Sequence, residues 1–225
     1  MSYFKSCCYS IRLTEKLKSL DTKNVLDFEL INKAIYWARK YHGDQKRKSG
    51  EPYYSHPLEV AYMISDYNLK TDVIVASILH DIIEDTEVTA GMILDNFGWR
   101  TAEMVDRLTR DRPDGSKLSV EEIINNAYQK QDREVLLIKL FDRLHNVETI
   151  NAKSQQAATH TIKETIRIFF VLSAYFNLKK VEEEFLHLCR CFTFPSKIHL
   201  RNKNSLANNK FQLSFPVFRN VIPHK

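Results

Sequence analysis

The sequence predicts an all-α protein, and three observations carry that expectation. Glycine and proline together supply only 11 of 225 residues, where average usage would give about 27, and a sandwich or barrel needs turn residues at short intervals. Apolar residues recur at steps of three and four, the period of a helix face. Between Pro113 and Pro195 lie 81 residues without a proline, room for several uninterrupted helices. The length suits one domain.

Residues 1–23 form an N-terminal segment that is amphipathic but lacks the 7–15-residue apolar run of a signal peptide. Asn24 to Tyr41 carries Val25, Phe28, Ile31, Ile35 and Ala38 along one helical face. A polar loop follows, from His42 to Pro52. Pro57 suits the first turn of the next helix, with His56 beside it and Val60, Met63 and Ile64 on its buried side. Thr71 or Asp72 can cap a helix running through Ile78 into Ile82. Shorter helices fit Ala90–Asn96 and Arg100–Leu108, before a break over 110–117. Ser119 then opens a helix through Ala127, Arg133–Ile150 reads as a strong one, and two more fit 157–176 and 179–193. Phe169, Phe170, Tyr175 and Phe176 read as helical core. The domain therefore spans 24–193.

The net charge of +5 resides in the tail, residues 194–225, which holds six basic residues and no acid; the rest carries 27 basic against 28 acidic residues. That balance excludes a basic nucleic-acid-binding body, and the tail reads as a poorly ordered terminus. Cys7, Cys8, Cys189 and Cys191 match neither a redox pair nor a zinc knuckle, so they read as reduced thiols. The longest apolar stretch, residues 168–176, is far short of the about 20 needed to span a bilayer. A soluble, cytoplasmic protein is expected, with no membrane partner. The five glycines form neither a Walker loop nor a dinucleotide fingerprint, so any nucleotide is held by other means.

The stretch most rich in chemistry is His80-Asp81, followed by Glu84-Asp85. On one continuous helix these four would fall at about 0°, 100°, 40° and 140°, sharing a side opposite Ile82 and Ile83. Carboxylates so close repel one another, and a divalent cation removes that cost. His56 precedes His80 by 24 residues, and Asp142 and Asn146 sit one turn apart in the polar stripe of an apolar helix. Two imidazoles and two carboxylates suit a first-row divalent ion with open positions, rather than a closed structural zinc site. Arg47 and Lys48 offer a bidentate fork and a point charge for phosphates. Lys117 and Lys163 are weaker phosphate candidates that read first as solvated lysines. His145 reads first as a hydrogen-bonded core histidine and second as a partner of a metal ligand, as does His42. Tyr53 and Tyr54 read as packed rings.

The pattern H…HD…D resembles the HD phosphohydrolase superfamily, and three longer blocks narrow the likeness. QKRKSGEPYYSHP (45–57), ASILHDIIEDT (76–86) and KLFDRLHN (139–146) resemble the hydrolase domain of RelA/SpoT-type enzymes, which removes the 3′-pyrophosphate of (p)ppGpp. The likeness spans about residues 25–190. It implies that His56, His80, Asp81 and Asp142 hold one Mn²⁺, and that Glu84 and Asp85 act on the attacking water and the leaving group. It implies that Arg47 and Lys48 contact the nucleotide, with Ser49, Asn146 and Thr149 lining the guanosine pocket.

Long RelA/SpoT enzymes continue into a synthetase, and the 32 residues after Thr193 leave no room for one. The segment 168–178 also lacks the Pro, Arg and Gly found there in long members. The resemblance thus implies a stand-alone small alarmone hydrolase, or a shortened descendant of a longer enzyme. Competing readings are a metal-dependent phosphatase acting on another nucleotide such as NADPH, or a non-catalytic alarmone-binding module. A homo-oligomer is left open by the sequence.

Overall fold

A computed structural model gives the structure of residues 7–112 and 115–193, and the expected poorly ordered tail lies outside the described residues. Among these residues the architecture is helical, as the sequence predicts, with two isolated β-bridges, Lys46 to Pro52 and Asp111 to Lys117. By contacts the chain divides into two compact units at Ala158–Thr159.

In the first unit, α1 (Cys8–Leu20) packs on α3 (Ser55–Ile64) through Leu13 and Leu17, both fully buried. Lys16 on its polar flank bonds the Tyr62 carbonyl and Asp66, each at 2.7 Å. The amphipathic pattern of residues 8–20 thus belongs to a helix seated on the core. Helix α2 (Phe28–His42) starts four residues later than its periodicity predicts, because Asp27 caps it by accepting the Leu30 N–H at 2.9 Å. Val25 is therefore off the buried face, 61% exposed, and Leu26 is buried in its place. Gly43 ends α2 at φ 49°, a left-handed conformation that suits glycine and turns the chain into the polar loop.

Helix α4 (Thr71–Leu79) is apolar all round, and Val73 to Leu79 are all buried, as befits a helix surrounded by others. It lies against α2, α3, α7 (Trp99–Leu108) and α9 (Arg133–Glu148). The expected side-chain cap is absent: Lys70 is the N-cap, while the Thr71 hydroxyl accepts the Asp27 N–H at 2.9 Å and so ties the starts of α2 and α4 together. A single turn, α5 (Ile82–Asp85), follows, then α6 (Ala90–Phe97) and, before α9, α8 (Val120–Gln129). Ser119 and Glu122 form the reciprocal capping box at α8.

Asp132 caps α9 through the Val135 N–H and accepts both Arg100 nitrogens, at 2.8 and 3.1 Å, as well as Arg107. Burial alone would raise its pKa, but the hydrogen bonds from Arg100 and Val135, with Arg107, hold it below the ordinary carboxylate value. The stability this contributes is complete above the unfolded value of about 3.9 and is lost as pH falls through the lower folded value. Asp132→Asn should therefore cost about 2 kcal/mol at pH 7. In urea titrations that difference should shrink as pH is lowered below about 4.

The boundary between the two units falls within α10 (Gln155–Glu164), which runs into a π-helical turn at Thr165–Phe169; α11 (Phe170–Tyr175) and α12 (Lys179–Thr193) complete the second unit. The single helix expected over 157–176 thus carries a π insertion. Phe169 and Phe185 form its core, with ring centroids 6.4 Å apart, whereas Tyr175 is exposed rather than buried.

Candidate metal centre

The HD pair does not lie on a continuous helix. Helix α4 stops at Leu79, and His80 and Asp81 occupy the break before α5. Asp81 takes φ −112° and ψ −2°, the bridge region between helix and strand. Its carbonyl accepts the N–H groups of Glu84 and Asp85, each at 3.1 Å, which starts the next turn. The helical-wheel angles therefore do not apply, although the four side chains still follow one another at the end of α4. His80 Nδ1 meets the Ser77 carbonyl at 2.8 Å. A carbonyl only accepts, so Nδ1 carries the proton and Nε2 keeps its lone pair outward.

Two other helices deliver their residues to the same point. The first turn of α3 brings His56 and the middle of α9 brings Asp142, both buried. Asp142 Oδ1 lies 3.2 Å from His56 Nε2 and 3.8 Å from His80 Nε2. One donor atom each from His56, His80 and Asp142 lies within 4.8 Å of the others. With bonds of about 2.1 Å, two ligands of one ion stand about 3.0 to 3.4 Å apart; the His56–Asp142 pair falls in that range and the His80–Asp142 pair lies just outside it, so a small inward shift of His80 would bring the trio onto a single cation. Asp81 Oδ2 is 4.0 Å from His80 Nε2, and both Asp81 oxygens are buried without a hydrogen-bond partner. His42 Nε2 faces Asp81 Oδ1 at 3.5 Å, longer than an ordinary hydrogen bond, and neither atom has a hydrogen-bond partner. An orphaned buried carboxylate beside two imidazoles and a second carboxylate is a donor set that a divalent ion completes.

The protonation states agree with that fit. Burial would raise the Asp142 pKa, but the Lys139 ammonium 2.9 Å away, with His56 and His80, holds it well below the ordinary range. Asp81 is likewise depressed against its burial, by His80, His42 and His56. Burial lowers the His56 pKa, and His80 adds to the effect. Ionised carboxylates and a neutral imidazole are what metal ligation requires.

Around this centre, Glu84 accepts the Arg110 N–H, and Asp85 Oδ2 accepts the Tyr53 hydroxyl at 2.7 Å. Burial raises the Asp85 pKa, and Asp81 repulsion reinforces it against the Tyr53 hydrogen bond. Arg47 reaches inward from its loop to His145 Nδ1 at 3.1 Å and to Asn146 Oδ1 and Thr149 Oγ1 at 3.2 Å each. Of the sequence candidates, Arg47 is therefore in contact with both Asn146 and Thr149. Lys48 is exposed beside them, and the exposed Ser49 hydroxyl bonds Glu51 at 3.0 Å. Lys117 pairs with Asp111 at 2.7 Å, and Lys163 is an exposed residue of the second unit.

Comparison with known proteins adds to this geometry. The family described as HD domain matches residues 34–175. The chain belongs to the HD-domain family. Its relatives include the guanosine-3′,5′-bis(diphosphate) 3′-pyrophosphohydrolase of Aquifex aeolicus (strain VF5), 30% identical over 95% of this chain and 31% of that protein. Another is the GTP pyrophosphokinase rsh of Brucella ovis, 36% identical over 74% of this chain and 23% of that protein. The resemblance carried by the three blocks is thus borne out, and the chain spans about a quarter to a third of the length of these curated relatives. Among solved structures, a metazoan ortholog of SpoT described as hydrolysing ppGpp shares the fold, with TM-score 0.53 and 23% identity over 72% of this chain and 94% of that one.

This HD domain also uses residues that sequence reasoning passed over. Lys139, buried and 2.9 Å from Asp142, was signalled only by its i, i+3 spacing. Gln45 holds His42 Nδ1 at 3.0 Å and the Asp85 carbonyl at 3.0 Å. Tyr53, expected only to pack, stacks on His42 with centroids 4.8 Å apart and donates to Asp85. No local signal separates such a tyrosine from a core one. No helix among the described residues is long and apolar enough to cross a membrane.

Proposed function

We propose that this HD domain is a cytoplasmic, manganese-dependent hydrolase that removes the 3′-pyrophosphate of (p)ppGpp, giving GDP or GTP and pyrophosphate. The single observation that carries the reading is the convergence of His56, His80 and Asp142 from three helices beside the orphaned Asp81 carboxylate, with Arg47 one hydrogen-bonded residue away. The name borne by the Aquifex aeolicus relative suggests the substrate.

In this reading His56, His80, Asp81 and Asp142 hold the ion, which when bound polarises a phosphoryl oxygen and favours ionisation of water. Glu84 accepts the proton of the attacking water as its oxygen bonds to the phosphorus on ribose O3′. The P–O3′ bond breaks, and Asp85, its pKa raised by burial, gives a proton to the departing O3′. Arg47 and Lys48 neutralise the phosphates, and Ser49, Asn146 and Thr149 border the nucleoside. The catalytic body corresponds to residues 24–193.

Purified protein with Mn²⁺ should release pyrophosphate from ppGpp in step with GDP, and should leave NADPH intact. Orthophosphate from NADPH with ppGpp untouched would move the substrate to another nucleotide. Tight ppGpp binding without turnover would make the chain a binding module.

A further inference from the structure

Besides Thr149, the Arg47 guanidinium touches His145 and Asn146, and each of these two touches a different member of the metal trio. Arg47 NH1 meets His145 Nδ1 at 3.1 Å, and the same nitrogen of His145 meets His56 Nδ1 at 2.8 Å. Arg47 NH2 donates to Asn146 Oδ1 at 3.2 Å, and Asn146 Nδ2 donates to Asp142 Oδ1. With His56 Nε2 facing Asp142 Oδ1 at 3.2 Å, the five side chains close a ring.

The directions of these bonds follow from donor and acceptor chemistry alone. A guanidinium has donors and no acceptor, so His145 Nδ1 offers a lone pair to Arg47. The contact between the two Nδ1 atoms needs one proton, and His145 has none there; His56 Nδ1 supplies it, and the single lone pair of His145 Nδ1 is shared between the Arg47 and His56 donors. His56 is thereby held with its proton on Nδ1, and Nε2 is aimed at the metal trio. Asn146 is oriented by the same logic, its carbonyl toward Arg47 and its amide toward Asp142.

We infer that His145 is a positioning residue that sets the tautomer and orientation of His56, and that Arg47 holds His145 in turn, so that the loop facing the nucleotide also tightens the metal site. This rests on the metal-dependent reading above and goes beyond it: Arg47 serves the ion as well as the phosphates, and cation and nucleotide affinity are linked reciprocally through one side chain.

The test measures Mn²⁺ affinity by calorimetry without nucleotide, for the parent, His145→Phe, His145→Asn and Arg47→Ala. The asparagine carbonyl can occupy the place of Nδ1 as an acceptor, whereas phenylalanine fills the space with none. His145→Phe should lose about 10–100-fold in affinity, the scale for partners of metal ligands. His145→Asn should recover most of that loss, and Arg47→Ala should weaken the ion although no nucleotide is present. Nitrogen-15 NMR of the metal-free parent should show His56 Nδ1 protonated and His145 Nδ1 bare, and it decides the matter however the variants fold. Parent-like affinity in His145→Phe, equal losses in His145→Phe and His145→Asn, or a proton on His145 Nδ1 would overturn the inference while leaving the hydrolase reading intact. A parent that bound no Mn²⁺ would overturn both.

Discussion

Asp142→Ala should abolish metal binding and turnover together. Asp142 is the meeting point of the centre: Oδ1 faces both His56 and His80, Oδ2 holds Lys139 at 2.9 Å, and Asn146 donates to Oδ1. Removing it takes one negative charge from the donor set and leaves the Lys139 ammonium buried with no counter-charge at that distance. The loss of affinity should exceed the about 10–100-fold typical of residues that merely support ligands. Stability should also fall, by about 3 kcal/mol, because an uncompensated buried charge remains. Asp142→Asn keeps the shape and one acceptor oxygen but removes the charge, so it should lose the metal and leave Lys139 without its counter-charge as Asp142→Ala does, with no cavity to add to the cost. Calorimetric Mn²⁺ titration beside a ppGpp assay reads both, and a variant that kept either at the parental level would place the centre elsewhere.

Glu84→Ala should do the opposite: keep the metal and lose turnover. Glu84 is not among the clustered donor atoms, and its Oε1 is occupied by the Arg110 N–H. Glu84 lies within the single turn that Asp81 nucleates, its N–H donating to the Asp81 carbonyl at 3.1 Å. Loss of a general base typically costs about 10²–10⁴-fold in rate, or about 3–5 kcal/mol of transition-state stabilisation. Freeing one backbone N–H should cost only about 1 kcal/mol of stability. Glu84→Gln retains an acceptor for Arg110 and should be as slow while melting like the parent. Parental kcat in both variants, with Mn²⁺ bound, would assign the base to another group.

The helical architecture was legible because scarce turn residues and the three-to-four spacing act locally, and each helix in turn repeats the signal. The candidate ligands were legible for a related reason: histidine and aspartate set among apolar residues conflict with burial, and His56, His80 and Asp142 are such conflicts. What failed depended on tertiary contacts. Val25 carried the right period but fell before the Asp27 cap, and the wheel through His80 to Asp85 assumed a helix that stops at Leu79. Tyr53 and Gln45 act through Asp85, 32 and 40 residues away in sequence, a pairing that no single-segment pattern encodes.

The most direct measurement is anomalous diffraction at the manganese edge from crystals grown with Mn²⁺. One strong peak is expected within bonding distance, about 2.0–2.3 Å, of His56 Nε2, His80 Nε2 and Asp142 Oδ1, with an Asp81 oxygen alongside. A manganese peak bound elsewhere, or none at saturating metal while ppGpp is still hydrolysed, would contradict the view that three helices assemble this site to hold the ion that catalysis needs.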